Sequence, residues 1–328
     1  MSDFGFHRVI DPIGAFPQSA NRLNVQLPIH PTEVLIEVYQ LNIDSNSYRQ
    51  IGETCNHDVE KMKAHIAAII TERGKMHNPV TNSGGMLIGR VTTVGSVNNS
   101  GFNLGDHIAS LISLTLTPLK IEEITNLDSK DPQIHVKGYA ILFNSSPAVK
   151  LPSDIDSAVA LAALDICGAS KLAQLYSKDV EKILILGAGK SGALAAFAAH
   201  DAGVKSITLF ERTTERVDQL KAMQLPFTII KTDVLNFTEL ERHKQSFDLT
   251  LDCLNIPMAE MAAILCTQKE GTIIYFNTAT SFTRAALGAE GIGSQVRMII
   301  GNGFYPGHAE LTFQLLRKYP QLQTLLNG

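Results

Sequence analysis

The chain has 328 residues, 45% of them hydrophobic and 18% charged. That is the composition of a folded globular protein, with a prior of roughly two domains at ~150 residues each. The net charge of −4 comes without a basic stripe and speaks against nucleic acid as a partner. There is no apolar N-terminal segment and no run of ~18 apolar residues, so neither a secretory signal nor a membrane span is expected. Cys55, Cys167, Cys253 and Cys266 are scattered, with no CxxC pair. This excludes a cysteine-rich structural zinc loop and fits a reducing cytoplasm.

Taken in chain order, Glu33 to Ile43 predicts a strand with Val34, Ile36 and Val38 on one face. Asp58 to Gly74 predicts a helix. Val59, Met62, Ile66, Ile69 and Ile70 share one face, Asp58 stands at the N-cap position and Gly74 at the stop. Strands are expected at "MLIGRVTTVG" (86–95) and "DHIASLISLTLT" (106–117), and "AILFNSSPAVKLP" closes a β-rich part near Pro152. The pattern then changes. Two apolar helices within 155–176 precede the strand runs "KILILG", "SITLF", "FTIIKT", "FDLTLDC", "GTIIYFN" and "VRMIIGN", which alternate with helices. Such alternation implies a parallel sheet covered on both faces. The last helix, "GHAELTFQLLRKY", is expected to return to the first part. The expected domains are therefore 1–152 completed by 303–328, and 153–302.

The strand Ile183 to Leu186 runs into Gly187, Gly189 and Gly192, and a helix follows. In that context the glycines serve a tight turn, close approach of a pyrophosphate, and packing of helix on strand. Lys190 and Ser191 open the helix, whose N-terminus presents N–H groups to phosphate. The next strand ends at Glu211, placed to bond a ribose 2′-hydroxyl and repel a 2′-phosphate. NAD is therefore expected, with NADP as a secondary cofactor because Arg212 is adjacent. Asn277 and Thr278, after a later strand, are expected to touch the cofactor, and Asp252 ends a strand on the same edge. The bland alternative is a flexible glycine turn with Glu211 as an ordinary surface charge.

"TNSGGMLIGRVTTVG" (Thr81–Gly95) resembles a strand-turn-strand of medium-chain alcohol dehydrogenases, where a zinc-binding Gly-His-Glu triplet precedes the apolar strand. Here the triplet position reads Gly84, Gly85, Met86. Asp44 falls where another ligand, a Cys, would stand, and Cys167 is a possible counterpart of a third. Catalytic zinc needs about three protein ligands, so no metal is expected, and Cys167 reads as a small buried residue. A frame without metal is compatible with amine oxidation, where the nitrogen lone pair drives hydride departure, and equally with alkene or quinone reduction.

Long strings make the resemblance more specific. "HRVIDPIGAFPQ", "LNIDSNSYRQI", "ERGKMHNPVTNSGGMLIG", "NTATSFTRAALGAEGIG" and "MIIGNGFYPGHAE" resemble the L-erythro-3,5-diaminohexanoate dehydrogenase family over nearly the whole chain. The resemblance implies an α/β fold of the medium-chain dehydrogenase type, with a β-rich GroES-like catalytic domain and a doubly wound Rossmann domain. It also implies a diamino acid substrate, oxidised with NAD to 5-amino-3-oxohexanoate and ammonia in lysine fermentation. Asp44 is then read as the general base or an ammonium partner, or else as a helix N-cap. Arg73 or Lys75 would hold the carboxylate, and Lys75 would serve as base if desolvated. His77 and Ser83 lie in the same segment as further substrate contacts, or in a solvated loop. Glu290, in a Gly- and Ala-rich connection, would pair with the distal ammonium or act in catalysis. The apolar edge strand "VRMIIGN" argues for a homodimer. A zinc-free quinone or enoyl reductase and a silent nucleotide-binding protein are the competing readings.

Overall fold

The computed structural model describes residues 2–326. The chain divides into two compact units, one ending at Asp165 and the other beginning at Ile166.

The first unit opens with a short ribbon of β1 (Val9–Asp11) and β2 (Arg22–Leu23). Then come β3 (Val34–Ile43), α1 (Ser45–Thr54), α2 (Val59–Arg73), β4 (Gly85–Val94), β5 (His107–Ser110), β6 (Leu119–Asp128), β7 (Asp131–Leu142), β8 (Ala148–Lys150) and α3 (Ser157–Leu164). β6-β7-β3-β4-β5-β8 is the order of a six-stranded antiparallel sheet. Helix α2 begins and ends where its residues dictate. The Asp58 carboxylate accepts from Lys61 N, and Gly74 takes a left-handed conformation at φ 63°. Its buried residues Met62, Ile66, Ile69 and Ile70 join the core formed by β3, β4 and β7. Each such burial contributes roughly 1.5–3 kcal/mol. β6 and β7 are among the longest strands, yet "KIEEITNLDSKDPQIHVK" gives no clean apolar alternation because much of β6, at the sheet edge, faces solvent.

Two buried cations fasten the N-terminal segment to this unit. Arg8 is 1% exposed and grips Glu33, 0% exposed, with Nε to Oε1 at 2.8 Å and Nη2 to Oε2 at 2.6 Å. His7 Nε2 and the His30 N–H also bond that carboxylate. Lys75 is the second cation. Its Nζ donates to the carbonyls of Pro17 and Gln18 at 2.7 and 2.9 Å.

The second unit runs α4 (Cys167–Tyr176), β9 (Lys182–Leu186), α5 (Lys190–Asp201), β10 (Ser206–Glu211), α6 (Thr214–Ala222), β11 (Thr228–Lys231), α7 (Phe237–Leu240), β12 (Phe247–Asp252), α8 (Ala259–Cys266), β13 (Thr267–Tyr275), α9 (Phe282–Gly291), β14 (Arg297–Ile300), α10 (His308–Lys318) and α11 (Pro320–Leu326). All six strands are parallel, in the order β11-β10-β9-β12-β13-β14. This is the doubly wound arrangement, whose strand order reverses between β9 and β12. Helix α5 is buried from Gly192 through Ala199 because α4, α10 and α11 pack over it.

The sequence placed the domain boundary at 152 and returned 303–328 to the first domain. By packing, the division falls after Asp165, and α10 and α11 stay in the second unit. They bury Leu315, Leu316, Leu322 and Leu325, and they pack against α4 and α5. The stretch read as a Gly- and Ala-rich connection is largely helix α9, with the Ser281 hydroxyl capping Arg284 N. No single helix among the described residues is long and apolar enough to cross a membrane.

Candidate active site

The glycine loop is dictated by close approach. Gly187 sits at φ 90°, and a Cβ on Gly192 would lie 1.9 Å from the Gly187 carbonyl oxygen. Only glycine lets α5 leave β9 so tightly. Gly189 is the N-cap of α5 without a side-chain cap, and nothing lies within 4 Å of where its Cβ would stand. Lys190 and Ser191 begin the helix behind this open face.

Glu211 closes β10 beside the loop. Its Oε1 accepts from Arg212 N, Thr213 N and the Thr213 hydroxyl, and its Oε2 accepts from Ala188 N at 3.2 Å. Burial alone would raise its pKa, but these hydrogen bonds outweigh it and hold the carboxyl below the usual range. Arg216 Nε donates to the Ala188 carbonyl, and Arg212 is exposed. Glu211 also lines a cavity of about 110 Å³ with Phe210, Thr232, Asp233, Leu254 and Ile256. A dinucleotide fits this set: an open helix N-terminus for pyrophosphate, an acid for ribose, and an apolar-walled hollow for the base. Sequence reasoning missed the hollow. Its positions follow from the rule that ligands sit beyond the carboxyl ends of parallel strands.

Asn277 folds back on its own turn. Its Oδ1 accepts from Ala279 N, Thr280 N and the Thr280 hydroxyl, and its Nδ2 donates to the Asp252 carbonyl. The Thr278 hydroxyl donates to Asn255. Asp252 is 1% exposed with Oδ2 unpaired. Burial pushes its pKa up to about 7, against the Leu254 N–H and with help from the charge of Glu260. Glu260 pairs with Arg284 at 2.8 Å and accepts from Ser281 N, which ties α8 to the turn before α9.

In the first unit, Asp44 follows β3 and caps α1. Its Oδ1 accepts from Asn46 N, Ser47 N and the Ser83 hydroxyl at 3.0, 3.2 and 2.9 Å. Oδ2 receives no hydrogen bond among the described residues, so the carboxylate is both a cap and an acceptor with one oxygen uncommitted. Ser83 binds Asp44 and the hydroxyls of Ser47 and Thr81, rather than standing free for a substrate.

The segment "RGKMHNP" is no solvated loop, since Lys75, Met76 and Asn78 are all fully buried. Burial, with Arg73 nearby, lowers the Lys75 pKa to about 8. Its amine is nevertheless spent on two carbonyls out of reach of solvent, so Lys75 is a strut and not a base. Burial, then Lys75 and Arg73, lower the His77 pKa to about 4, leaving a neutral ring with Nδ1 unpaired. Arg73, at the last turn of α2, makes no ion pair among the described residues and remains a cation open to a carboxylate. Glu290 is exposed at the end of α9 with no partner among the described residues, a solvated position and not a pocket.

Gly85 begins β4 at φ 120°, and a Cβ there would lie 1.9 Å from the Asn42 carbonyl oxygen. No ligand side chain of any kind fits that position in this backbone. Among the described residues, one group has atoms close enough for a metal, His7, His30 and Glu33, within 4.8 Å. Arg8 already holds both oxygens of Glu33.

An antiparallel sheet unit followed by a doubly wound sheet with an open glycine loop is the architecture of medium-chain dehydrogenases. A quinone oxidoreductase from Coxiella burnetii shares this fold. Its TM-score is 0.58 at 16% identity, over 95% of this chain and 90% of that one. Residues 7–152 match the L-erythro-3,5-diaminohexanoate dehydrogenase N-terminal domain, and 169–261 match shikimate/quinate 5-dehydrogenase. The chain is 40% identical to L-erythro-3,5-diaminohexanoate dehydrogenase of Acetoanaerobium sticklandii, over 98% of this chain and 96% of that protein. It is 41% identical to the enzyme of that name from Fusobacterium nucleatum, over 99% and 97%. The chain belongs to the L-erythro-3,5-diaminohexanoate dehydrogenase family. It is an oxidoreductase with a nicotinamide cofactor and a small-molecule substrate.

Proposed function

We propose that the chain oxidises the 3-amino group of L-erythro-3,5-diaminohexanoate with NAD, giving 5-amino-3-oxohexanoate and ammonia, as a step of lysine fermentation. Kinship along the whole length carries this reading, and the uncommitted oxygen of Asp44 supports it. The substrate amine arrives as ammonium and gives a proton to Asp44 Oδ2. The freed lone pair expels hydride from C3, and NAD supplies the acceptor. Asp44 releases that proton to solvent, and water then adds to the iminium carbon with the re-formed carboxylate taking a proton. The carbinolamine collapses to ketone and ammonia. Arg73 holds the carboxylate. No step calls for a metal, in keeping with the closed position at Gly85. The test is NADH formation across β-amino acids, alcohols and quinones, with and without chelator. Turnover highest with the diamino acid supports the reading, and turnover only with quinones or alcohols overturns it.

Glu211 sets the preference for NAD. Glu211→Ala should lower kcat/KM for NAD by roughly 10- to 100-fold, from hydrogen bonds to a charged group worth about 1.5–3 kcal/mol. NADP should suffer less, with Arg212 and Arg216 close by. Equal use of NADP by the unaltered protein would sink this assignment.

We further propose a homodimer through β14. This edge strand bears Ile300, 78% exposed, next to Phe282, 80% exposed, around a cavity of about 290 Å³ that includes Met298 and Tyr275. An apolar edge of this kind calls for a partner. Sedimentation should show a dimer, and Ile300→Lys a monomer. A monomeric parent protein refutes the assembly.

A further inference from the structure

We propose that Ser83 is a positioning residue for the reaction, holding the Asp44 carboxylate so that Oδ2 alone stays free for the substrate amine, an inference that rests on the reading of Asp44 as the base. The two oxygens of a carboxylate are alike, and rotation about the Cβ–Cγ bond exchanges them. The donors on Oδ1 decide which one stays open. Asn46 N and Ser47 N, at 3.0 and 3.2 Å, belong to the cap of α1 and complete it. The Ser83 hydroxyl, at 2.9 Å, is a third donor that the cap does not need. It comes from the segment before β4, so Oδ1 is held from two parts of the chain. The backbone places it there. Asp44 N donates to the Gly84 carbonyl at 3.2 Å, next to the pairing of Ile43 with Gly85. A Cβ on Gly84 would lie 2.5 Å from the Met76 carbonyl oxygen, so the chain needs glycine to enter β4 along this path.

The hydroxyls behind Ser83 point the same way. Ser83 gives its one hydroxyl proton to the carboxylate, which when ionised only accepts. Its oxygen accepts in turn from Ser47 Oγ at 2.7 Å or Thr81 Oγ1 at 3.0 Å. Ser47 and Thr81 are 2.5 Å apart, too close for two oxygens without a proton between them. One of the two therefore donates to the other, and the other donates to Ser83. Every hydroxyl proton in the group is directed toward Oδ1, and each bond polarises the next. Buried Ser47 and half-buried Thr81 thus strengthen the hold of Ser83 on that one oxygen.

The experiment uses the full chain with the amine that the substrate panel identifies. Ser83→Ala should lower kcat by about 10-fold, the effect of one lost hydrogen bond to a charged group, with KM within about twofold. Donors on a carboxylate favour its charged form, so the acid limb of the pH–rate profile should also move to higher pH, by up to about one pH unit. Thr81→Val should lower kcat by less than about threefold, because Ser47 then donates straight to Ser83. In the Asp44→Asn background Ser83→Ala should cause no further loss. A merely structural effect would recur in that background and leave the pH profile in place. Should Ser83→Ala prove unstable in thermal unfolding, Ser83→Cys keeps the shape with a weaker donor and is read the same way. An unmoved kcat and pH profile, or the same fold loss in both backgrounds, overturns the positioning role while low turnover in Asp44→Asn keeps the base. Near-normal Asp44→Asn, or oxidation of no amine at all, removes the base and the role of Ser83 together.

Discussion

Replacing Asp44 with Asn should cut turnover of the diamino acid by roughly 10²-fold or more, the usual worth of a positioned general base. The substitution isolates chemistry from folding. Asn is as good an N-cap as Asp, and its amide oxygen can keep the bonds from Asn46 N, Ser47 N and the Ser83 hydroxyl that Oδ1 now accepts. What changes is the second oxygen, which becomes an NH2 group unable to take a proton. Steady-state kinetics and thermal unfolding of the variant decide the matter. A stable protein with low kcat identifies the base. If turnover holds but preference for the diamine over a simple β-amino acid falls, Asp44 binds the distal ammonium. Normal turnover and selectivity would leave it a cap alone.

Glu33→Ala should destabilise the protein by about 3–5 kcal/mol, the cost of leaving a buried charge without its partner. Arg8 would lose the carboxylate that meets both its Nε and Nη2, and it has no route to water at 1% exposure. His7 and the His30 N–H would lose an acceptor as well. Chemical denaturation measures the loss, and a change under about 1 kcal/mol would refute the argument. Removing both charges with apolar residues should cost less than removing one. A pH effect follows from the same contacts. Burial works to raise the Glu33 pKa, but Arg8, the His30 N–H and His7 outweigh it, so the folded value lies below the usual 4.5. The pair therefore contributes fully above that usual value, and its contribution disappears as pH falls through the lower folded pKa. An acid unfolding midpoint that Glu33→Ala leaves unshifted would contradict this.

Where a turn or helix start is local in the chain, the sequence reveals its geometry. Gly187, Gly189, Gly192 and Glu211 are a strand–turn–helix followed by the end of the next strand, and the structure places them around one open loop. Helix α2 was legible for the same reason, since its cap, apolar face and stop all lie within 58–74. The absence of a ligand at Gly85 was readable as a letter, but the reason no side chain fits there is the Asn42 carbonyl on the neighbouring strand.

Contacts between distant segments were not legible. Lys75 looks like a candidate base until its amine is found on the carbonyls of Pro17 and Gln18, 58 and 57 residues away. Glu290 looks available until its helix turns it to solvent. Ser47, Thr81 and Ser83 are ordinary residues in two separate stretches, and only the pairing of β3 with β4, which sets Ile43 opposite Gly85, brings them onto Asp44. By itself the sequence determined most of the elements, the parallel sheet and the glycine loop, because turn chemistry, helix caps and apolar periodicity act over a few neighbouring residues. The tertiary structure alone decided which charges are struts, which oxygen of Asp44 stays open and which hydroxyls meet it, because burial and hydrogen bonding depend on what the folded chain brings alongside.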